Sequence, residues 1–234
     1  MSGGGPVAIV TGSSRGLGLA LTRTLTTEGW TVIVDARDGA ALETAVADLG
    51  TGGAVIAVPG DVADAAHRRA LVGEAERRGR LDLLVNNASL LGPSPQPALA
   101  GYPLDVLRDV YEVNVIAPLA LIQLSLPLLR RSSGVVVNVT SDAAVEGYEG
   151  WGGYGSSKAA LEQLTNVLAA EHPDLSIYRV DPGDMNTQMH QEAFPGEDIS
   201  DRPPPEESVP GIMSLIAGRP PSGRYQARAI AAPR

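Results

Sequence analysis

Cysteine is absent from this 234-residue chain, and aromatic residues make up only 4% of it. Cations are outnumbered, with 18 lysines and arginines against 27 aspartates and glutamates. Each shortage excludes something. Without cysteine there is no disulfide framework, no thiol nucleophile and no thiolate metal site. The three histidines, His67, His172 and His190, are too scattered to form a ligand set, so no metal is expected. A net charge of −9 argues against a nucleic-acid surface. Residues Met1 to Pro6 lack the basic and apolar regions of a signal peptide. The longest apolar stretch, Val115 to Leu129, is short for a bilayer and is broken by Pro118, Gln123 and Pro127. Neither a membrane nor a nucleic-acid partner is expected, and a cytoplasmic location is.

What is abundant is small and aliphatic. Alanine, valine, leucine and glycine carry the packing, as in parallel strands held between helices. Strand-like runs at Val7–Val10, Trp30–Val34, Val55–Val58, Leu81–Val85, Val135–Val139 and Leu175–Val180 alternate with helical ones. The helical runs are Gly16–Glu28, closed by Gly29, Ala40–Leu49, closed by Gly50, Asp64–Arg78, closed by Gly79, Leu104–Arg131 and Tyr154–Glu171. This alternation predicts an α/β fold: a doubly wound parallel sheet with helices on both faces. No linker-like composition divides the chain, so a single domain over residues 1–234 is expected. Residues 188–208 stand apart as a polar, acidic stretch broken by Pro195, Pro203, Pro204 and Pro205. They read as a mobile substrate loop ahead of a short helix near Val209–Ala217, with a final edge strand over Arg224–Ile230.

After the first strand comes Thr11-Gly12-Ser13-Ser14-Arg15-Gly16-Leu17-Gly18. Glycine lets a backbone turn sharply and approach a pyrophosphate without a Cβ clash. A helix beginning near Gly16 would point free N–H groups and its positive dipole end at the phosphates. The end of the second strand should choose the cofactor. A carboxylate there would bind adenosine ribose hydroxyls, and an arginine would accept a 2′-phosphate. Asp35 is present, but strand alternation turns it away; Ala36 takes the discriminating position and Arg37 follows. With Arg15 as a second cation, NADP(H) is expected over NAD(H).

In the second half Tyr154 stands four residues before Lys158 and thirteen after Ser141. Together with the glycine turn, Asp61-Val62, Asn86-Asn87-Ala88, Asn114 and Pro182-Gly183 with Thr187, this ordered set resembles the short-chain dehydrogenase/reductase family in its compact single-domain form. The resemblance runs from Val7 to about Arg228. It implies a Rossmann-like fold and an oxidoreductase that interconverts a carbonyl and an alcohol. It also implies a catalytic tetrad of Asn114, Ser141, Tyr154 and Lys158. Carried across residue by residue, it puts the cofactor against Gly12, Ser14, Arg15, Gly16, Leu17, Gly18, Arg37, Asp61, Val62, Asn87, Ala88, Tyr154, Lys158, Pro182, Gly183 and Thr187. One departure is Ser89, where the family usually has glycine; pteridine reductases are similar here.

The chemistry follows from side-chain type. A free phenol titrates near pH 10, and a cation beside it favours the phenolate. Residues four apart share a helix face, so Lys158 is expected to lower the Tyr154 pKa. Ser141 would donate to the substrate oxygen as charge develops there. Pro118 has no N–H for the Asn114 carbonyl four residues back, which predicts a kink and a free carbonyl. In the family a carbonyl at this place holds a water that relays protons to the lysine.

Tyr148 and Trp151 on one glycine-rich loop, and Met185 and Met189 on another, are the further substrate candidates beside Ser141 and Tyr154. The acidic loop disfavours an anionic substrate. Val115, Leu119, Ile122, Leu126 and Leu129 form one apolar stripe of the long helix, and Leu121, Leu124 and Leu128 another. One suits the sheet. The second suits a homodimer or homotetramer interface, the common assemblies of the family, or burial within the monomer. Two other functions stay open: a dinucleotide-binding regulatory or scaffold protein with vestigial activity, and a reductase of a C=N or pterin-like ring.

Overall fold

The computed structural model describes residues 5–49 and 53–230. Seven strands form one parallel sheet in the order β3-β2-β1-β4-β5-β6-β7. They are β1 Val7–Val10, β2 Thr31–Val34, β3 Val55–Ala57, β4 Leu83–Asn86, β5 Val135–Val139, β6 Ser176–Asp181 and β7 Gly223–Gln226. The inner strands read as unbroken apolar runs because both faces are covered: every residue of β1, β4 and β5 is buried.

The chain winds outward from β1 through β2 to β3, then returns to β4 on the other side of β1 and continues to β7. That reversal opens a crevice at the carboxyl ends of β1 and β4, the place where such sheets bind ligands. Helices α1 Gly16–Thr27, α2 Gly39–Ala47, α3 Ala65–Glu76, α4 Leu104–Tyr111, α5 Ala117–Ser132 and α6 Gly152–Glu171 cover the two faces, followed by α7 Gln188–Ala193 and α8 Val209–Gly218. Gly29, at φ +83°, closes α1 as the sequence indicates. Gly50, expected to close α2, lies outside the described residues.

The long helical stretch is not uniform. A π turn over Glu112–Ile116 separates α4 from α5. The Ala117 N–H, the ordinary donor to the Val113 carbonyl, bonds the Glu112 carbonyl instead. Pro118 has no N–H to give Asn114. The break expected at Asn114 therefore takes the form of a π turn.

The 29 residues Leu104–Ser132 are long and apolar enough by composition to cross a membrane, but half of their most apolar window is buried within the fold. Leu121, Ile122, Leu128 and Leu129 all sit in the core beneath the sheet, so both apolar stripes contribute residues to the monomer's core. Leu124 and Ile116 are left exposed.

Two expectations need correction. The 188–208 segment is not loop throughout: it opens with α7, which Thr187 caps by accepting the His190 N–H at 3.3 Å. The last strand is shorter than expected, because the chain leaves the sheet after Gln226 in a 3₁₀ turn, Ala227–Ala229.

Candidate active site

A cavity of about 790 Å³ occupies the crevice. Gly12, Ser14, Arg15, Gly16 and Leu17 line one end, and Ser141, Tyr154 and Lys158 the other. The glycine turn is braced on the end of β4. The Thr11 hydroxyl accepts the N–H groups of Asn87 and Ala88, both at 3.0 Å. The Asn87 amide donates back to the carbonyls of Thr11 at 2.8 Å and Gly12 at 3.1 Å. Gly12 has φ +70°, and a Cβ there would sit 2.9 Å from the Ala88 Cα. Gly12→Ala should therefore cost more than about 1 kcal/mol, seen as a lower Tm; an unchanged Tm would contradict this packing. Gly18 does not line the cavity. A Cβ there would lie 2.4 Å from the Gly12 carbonyl oxygen, so its place is the close packing of α1 on the turn.

The start of α1 fits a dinucleotide pyrophosphate. Helices α2 and α3 are capped by the carboxylates of Asp38 and Asp64. Helix α1 has no side-chain cap and no acidic residue in its first turn, and its first residues face the cavity. Those open amides, with the dipole behind them, form an anion cradle.

At the adenosine end the cavity is lined by Ala36, Arg37, Asp61 and Val62. Asp35 is turned inward: its carboxylate accepts the Gly12 N–H at 2.7 Å and pairs with His67 Nε2 at 3.0 Å. Burial pushes the Asp35 carboxyl up, against the opposing pull of His67 and the Gly12 N–H. Asp61 accepts the Ala63 N–H at 2.9 Å. Arg37 is exposed and has no ion pair among the described residues. Arg15 is already engaged, donating to the Gln188 side chain on α7. Arg15 and Arg37 are thus in different states.

At the catalytic end, Tyr154 and Lys158 stand one turn apart on α6, with the Lys158 Nζ 5.5 Å from the phenol ring centre. Both are almost fully buried. Burial pushes the Tyr154 phenol up to about 12; a hydrogen bond with Ser89 opposes this, and the charges of Asp142 and Asp181 add to it. Burial also pushes the Lys158 ammonium down to about 8. The expected lowering of the Tyr154 pKa is therefore corrected. Helical spacing places the two groups together, but burial disfavours the phenolate and sets the direction of the shift. Lys158 donates to the Val139 carbonyl at 2.9 Å.

Ser141 lies at the end of β5, where its hydroxyl donates to Asp142 Oδ1 at 2.8 Å. Asn114 does not line the cavity. Its side chain is fully buried: Oδ1 accepts from Ser89 Oγ at 3.1 Å and from the Leu90 N–H at 2.8 Å, and Nδ2 donates to the Leu90 carbonyl and Ser157 Oγ, both at 2.9 Å. It ties the loop after β4 to α6, while its neighbour Val113 reaches the cavity wall. Pro182, Gly183 and Thr187 line the cavity opposite.

On the substrate side, Trp151, Met185 and Met189 line the cavity and Tyr148 does not. Tyr148 is exposed, with its hydroxyl donating to Asp142 Oδ2 at 3.0 Å. Leu91 and Ala193, absent from the sequence candidates, also line the wall, and both pack in the apolar cluster around Tyr154. Nothing in their local pattern marks them, since the loop after β4 and the helix α7 meet only in three dimensions. The Trp151 ring lies 5.8 Å from both Tyr154 and Phe194.

Comparisons with known proteins agree with this geometry. Residues 6–198 match the family described as short chain dehydrogenase. A benzil reductase forming (S)-benzoin, from Saccharomyces cerevisiae, is 36% identical over 80% of this chain and 74% of its own. The rhamnolipids biosynthesis 3-oxoacyl-[acyl-carrier-protein] reductase of Pseudomonas aeruginosa is 37% identical over 79% of this chain and 75% of its own. Among solved structures, the oxidoreductase yciK from E. coli superposes with a TM-score of 0.88 at 30% identity, covering 95% of each chain. A short chain dehydrogenase from Shigella flexneri complexed with NADP superposes with a TM-score of 0.86 at 29% identity, covering 95% of this chain and 97% of its own.

Proposed function

The chain belongs to the short-chain dehydrogenase family, and from that membership we propose that it is an NADP(H)-dependent oxidoreductase interconverting a ketone or aldehyde and its alcohol. The observation that carries this reading is one cavity with an uncapped helix N-terminus and a free Arg37 at one end and a buried Tyr154–Lys158 pair at the other. Gly12, Gly16, Leu17 and the α1 amides would hold the pyrophosphate, and Pro182, Gly183 and Thr187 the nicotinamide. The bound nicotinamide supplies or accepts the hydride.

The chain's own residues manage the proton. With its pKa raised, Tyr154 is a phenol at neutral pH and so serves as the proton donor in reduction. Ser141 must release Asp142 to donate to the substrate oxygen. Asp142 keeps the Ala143 N–H at 2.8 Å and the Tyr148 hydroxyl at 3.0 Å, so the change strands no acceptor. The wall of Leu91, Trp151, Met189 and Ala193 suits an apolar or aromatic group beside the carbonyl. Asp142, Asp184 and Glu192 on the cavity rim repel an anionic one. Relatives named for a diaryl diketone and for a 3-oxoacyl substrate lie in the same chemical range.

A pH series tests the acid–base assignment. Reduction needs the phenol and oxidation the phenolate. Alcohol oxidation should therefore climb about tenfold per pH unit below the apparent Tyr154 pKa, while reduction shows no rise over the same range. A flat oxidation profile from pH 7 to pH 9 would take the proton away from Tyr154.

A further inference from the structure

One guanidinium behind the catalytic cavity touches all three segments that carry its chemistry. Arg224, on the edge strand β7, donates through Nε to Glu162 Oε1 at 2.9 Å. Its Nη2 donates to the Ser141 carbonyl and to Asp181 Oδ2, both at 3.2 Å. Glu162 lies on α6 one turn beyond Lys158, and its Oε1 also accepts the Thr140 hydroxyl at 2.8 Å. Asp181 ends β6, and its Oδ1 accepts the Gly183 N–H at 2.9 Å, holding the turn in which Gly183 has φ +74°. The contacts thus join the residue before Ser141, Ser141 itself, the Tyr154–Lys158 helix and the Pro182-Gly183 turn. Both carboxylates are almost completely buried.

We propose that Arg224 is a positioning residue that sets the spacing of Ser141, Tyr154 and Gly183 and neutralises the carboxylates of Asp181 and Glu162 behind the phenol. The proposal rests on the oxidoreductase reading and adds to it a residue from outside the tetrad. Its physical basis is twofold. A planar fork can hold three acceptors in fixed directions, which a lysine ammonium cannot reproduce. The charge also matters, because Asp181 acts on the Tyr154 phenol directly. The charged groups facing Tyr154 are Lys158 on its own helix, Asp142 after β5 and Asp181 at the end of β6. Those facing Arg224 are Glu162 and Asp181, with Arg179 of β6 at 4.0 Å from Glu162 Oε2 as the other cation.

Two variants separate geometry from charge. Arg224→Met removes both: kcat should fall by about tenfold or more, and the rise of oxidation with pH should move upward by roughly half a unit or more as Asp181 is unmasked. Arg224→Lys keeps the charge and loses the fork, so kcat should fall while the pH limb stays in place. A role in stability alone would lower Tm in both variants and leave the limb unmoved, which would overturn the proposal. If Arg224→Met fails to fold, Arg224→Lys decides, and an unchanged kcat would overturn the geometric claim. Carbon-13 NMR of the tyrosine ring, with Tyr154 assigned by Tyr154→Phe, follows the onset of phenolate without turnover. Should the wild-type protein reduce no carbonyl, the oxidoreductase reading fails. The NMR comparison of wild type with Arg224→Met still tests Arg224: a later onset in Arg224→Met than in wild type supports its electrostatic role, and identical onsets in the two refute it.

Discussion

Tyr154→Phe should lower kcat for carbonyl reduction by roughly a hundred- to ten-thousandfold, the range ascribed to a positioned general acid. The substitution takes away one hydroxyl and little else. The ring is packed by Leu91 and Ala143 and stacked edge-on against Trp151 at 5.8 Å, and phenylalanine keeps all of these contacts. NADPH affinity should change little, because the pyrophosphate cradle and Arg37 lie at the far end of the cavity. Tm should hold or rise slightly, since the buried hydroxyl gives up its desolvation cost along with its hydrogen bond. Steady-state kinetics, a binding isotherm for NADPH and a melting curve check all three points. Loss of activity that merely follows a collapse in Tm would point to packing instead of proton transfer.

The second large effect concerns the cofactor. Arg37→Ala should raise KM for NADPH by roughly 10- to 100-fold, the equivalent of about 1.5–3 kcal/mol for a lost charge-assisted contact. NADH should be nearly unaffected, because it has no 2′-phosphate for the arginine to meet. Adding Ala36→Asp should invert the preference by bringing a carboxylate to the ribose hydroxyls and repelling the phosphate. Asp35 cannot do this itself: its carboxylate is committed to the Gly12 N–H and His67. Arg15→Ala should act more weakly than Arg37→Ala, since Arg15 must first leave Gln188. Equal loss of NADPH and NADH turnover in Arg37→Ala would remove the basis for the NADP(H) assignment.

Much of this site is legible in the residues because local geometry decides it. The valine-rich run Val135–Val139 is a strand to the residue, and the glycine turn and the Tyr154–Lys158 helix lie where their spacing puts them. What spacing cannot carry is solvation. Four residues on a helix place an ammonium near a phenol, yet the direction of the Tyr154 shift depends on burial and on Asp142 and Asp181, which arrive from the turn after β5 and the end of β6. The same holds for Asn114, whose side chain spans to Leu90 and Ser157. Helix α7 has no signature in the sequence because six residues between Pro182 and Pro195 form no periodic pattern. It is held by the Thr187 cap and by Ser94 donating to the Glu192 carbonyl at 2.6 Å. Glu162 and Arg224 look like unremarkable charges in sequence; only the pairing of β7 with β6, and the packing of α6 on β6, bring them to one another.

The most direct measurement is ketone-dependent oxidation of NADPH by the purified protein, with NADH in parallel. The substrates would be benzil, an aliphatic ketone, a pterin and a β-ketoacyl thioester. Turnover of the aromatic ketone with NADPH, faster than with NADH, is the predicted result. Tight NADPH binding with no turnover of any carbonyl would contradict the account and leave a dinucleotide-binding protein without carbonyl chemistry.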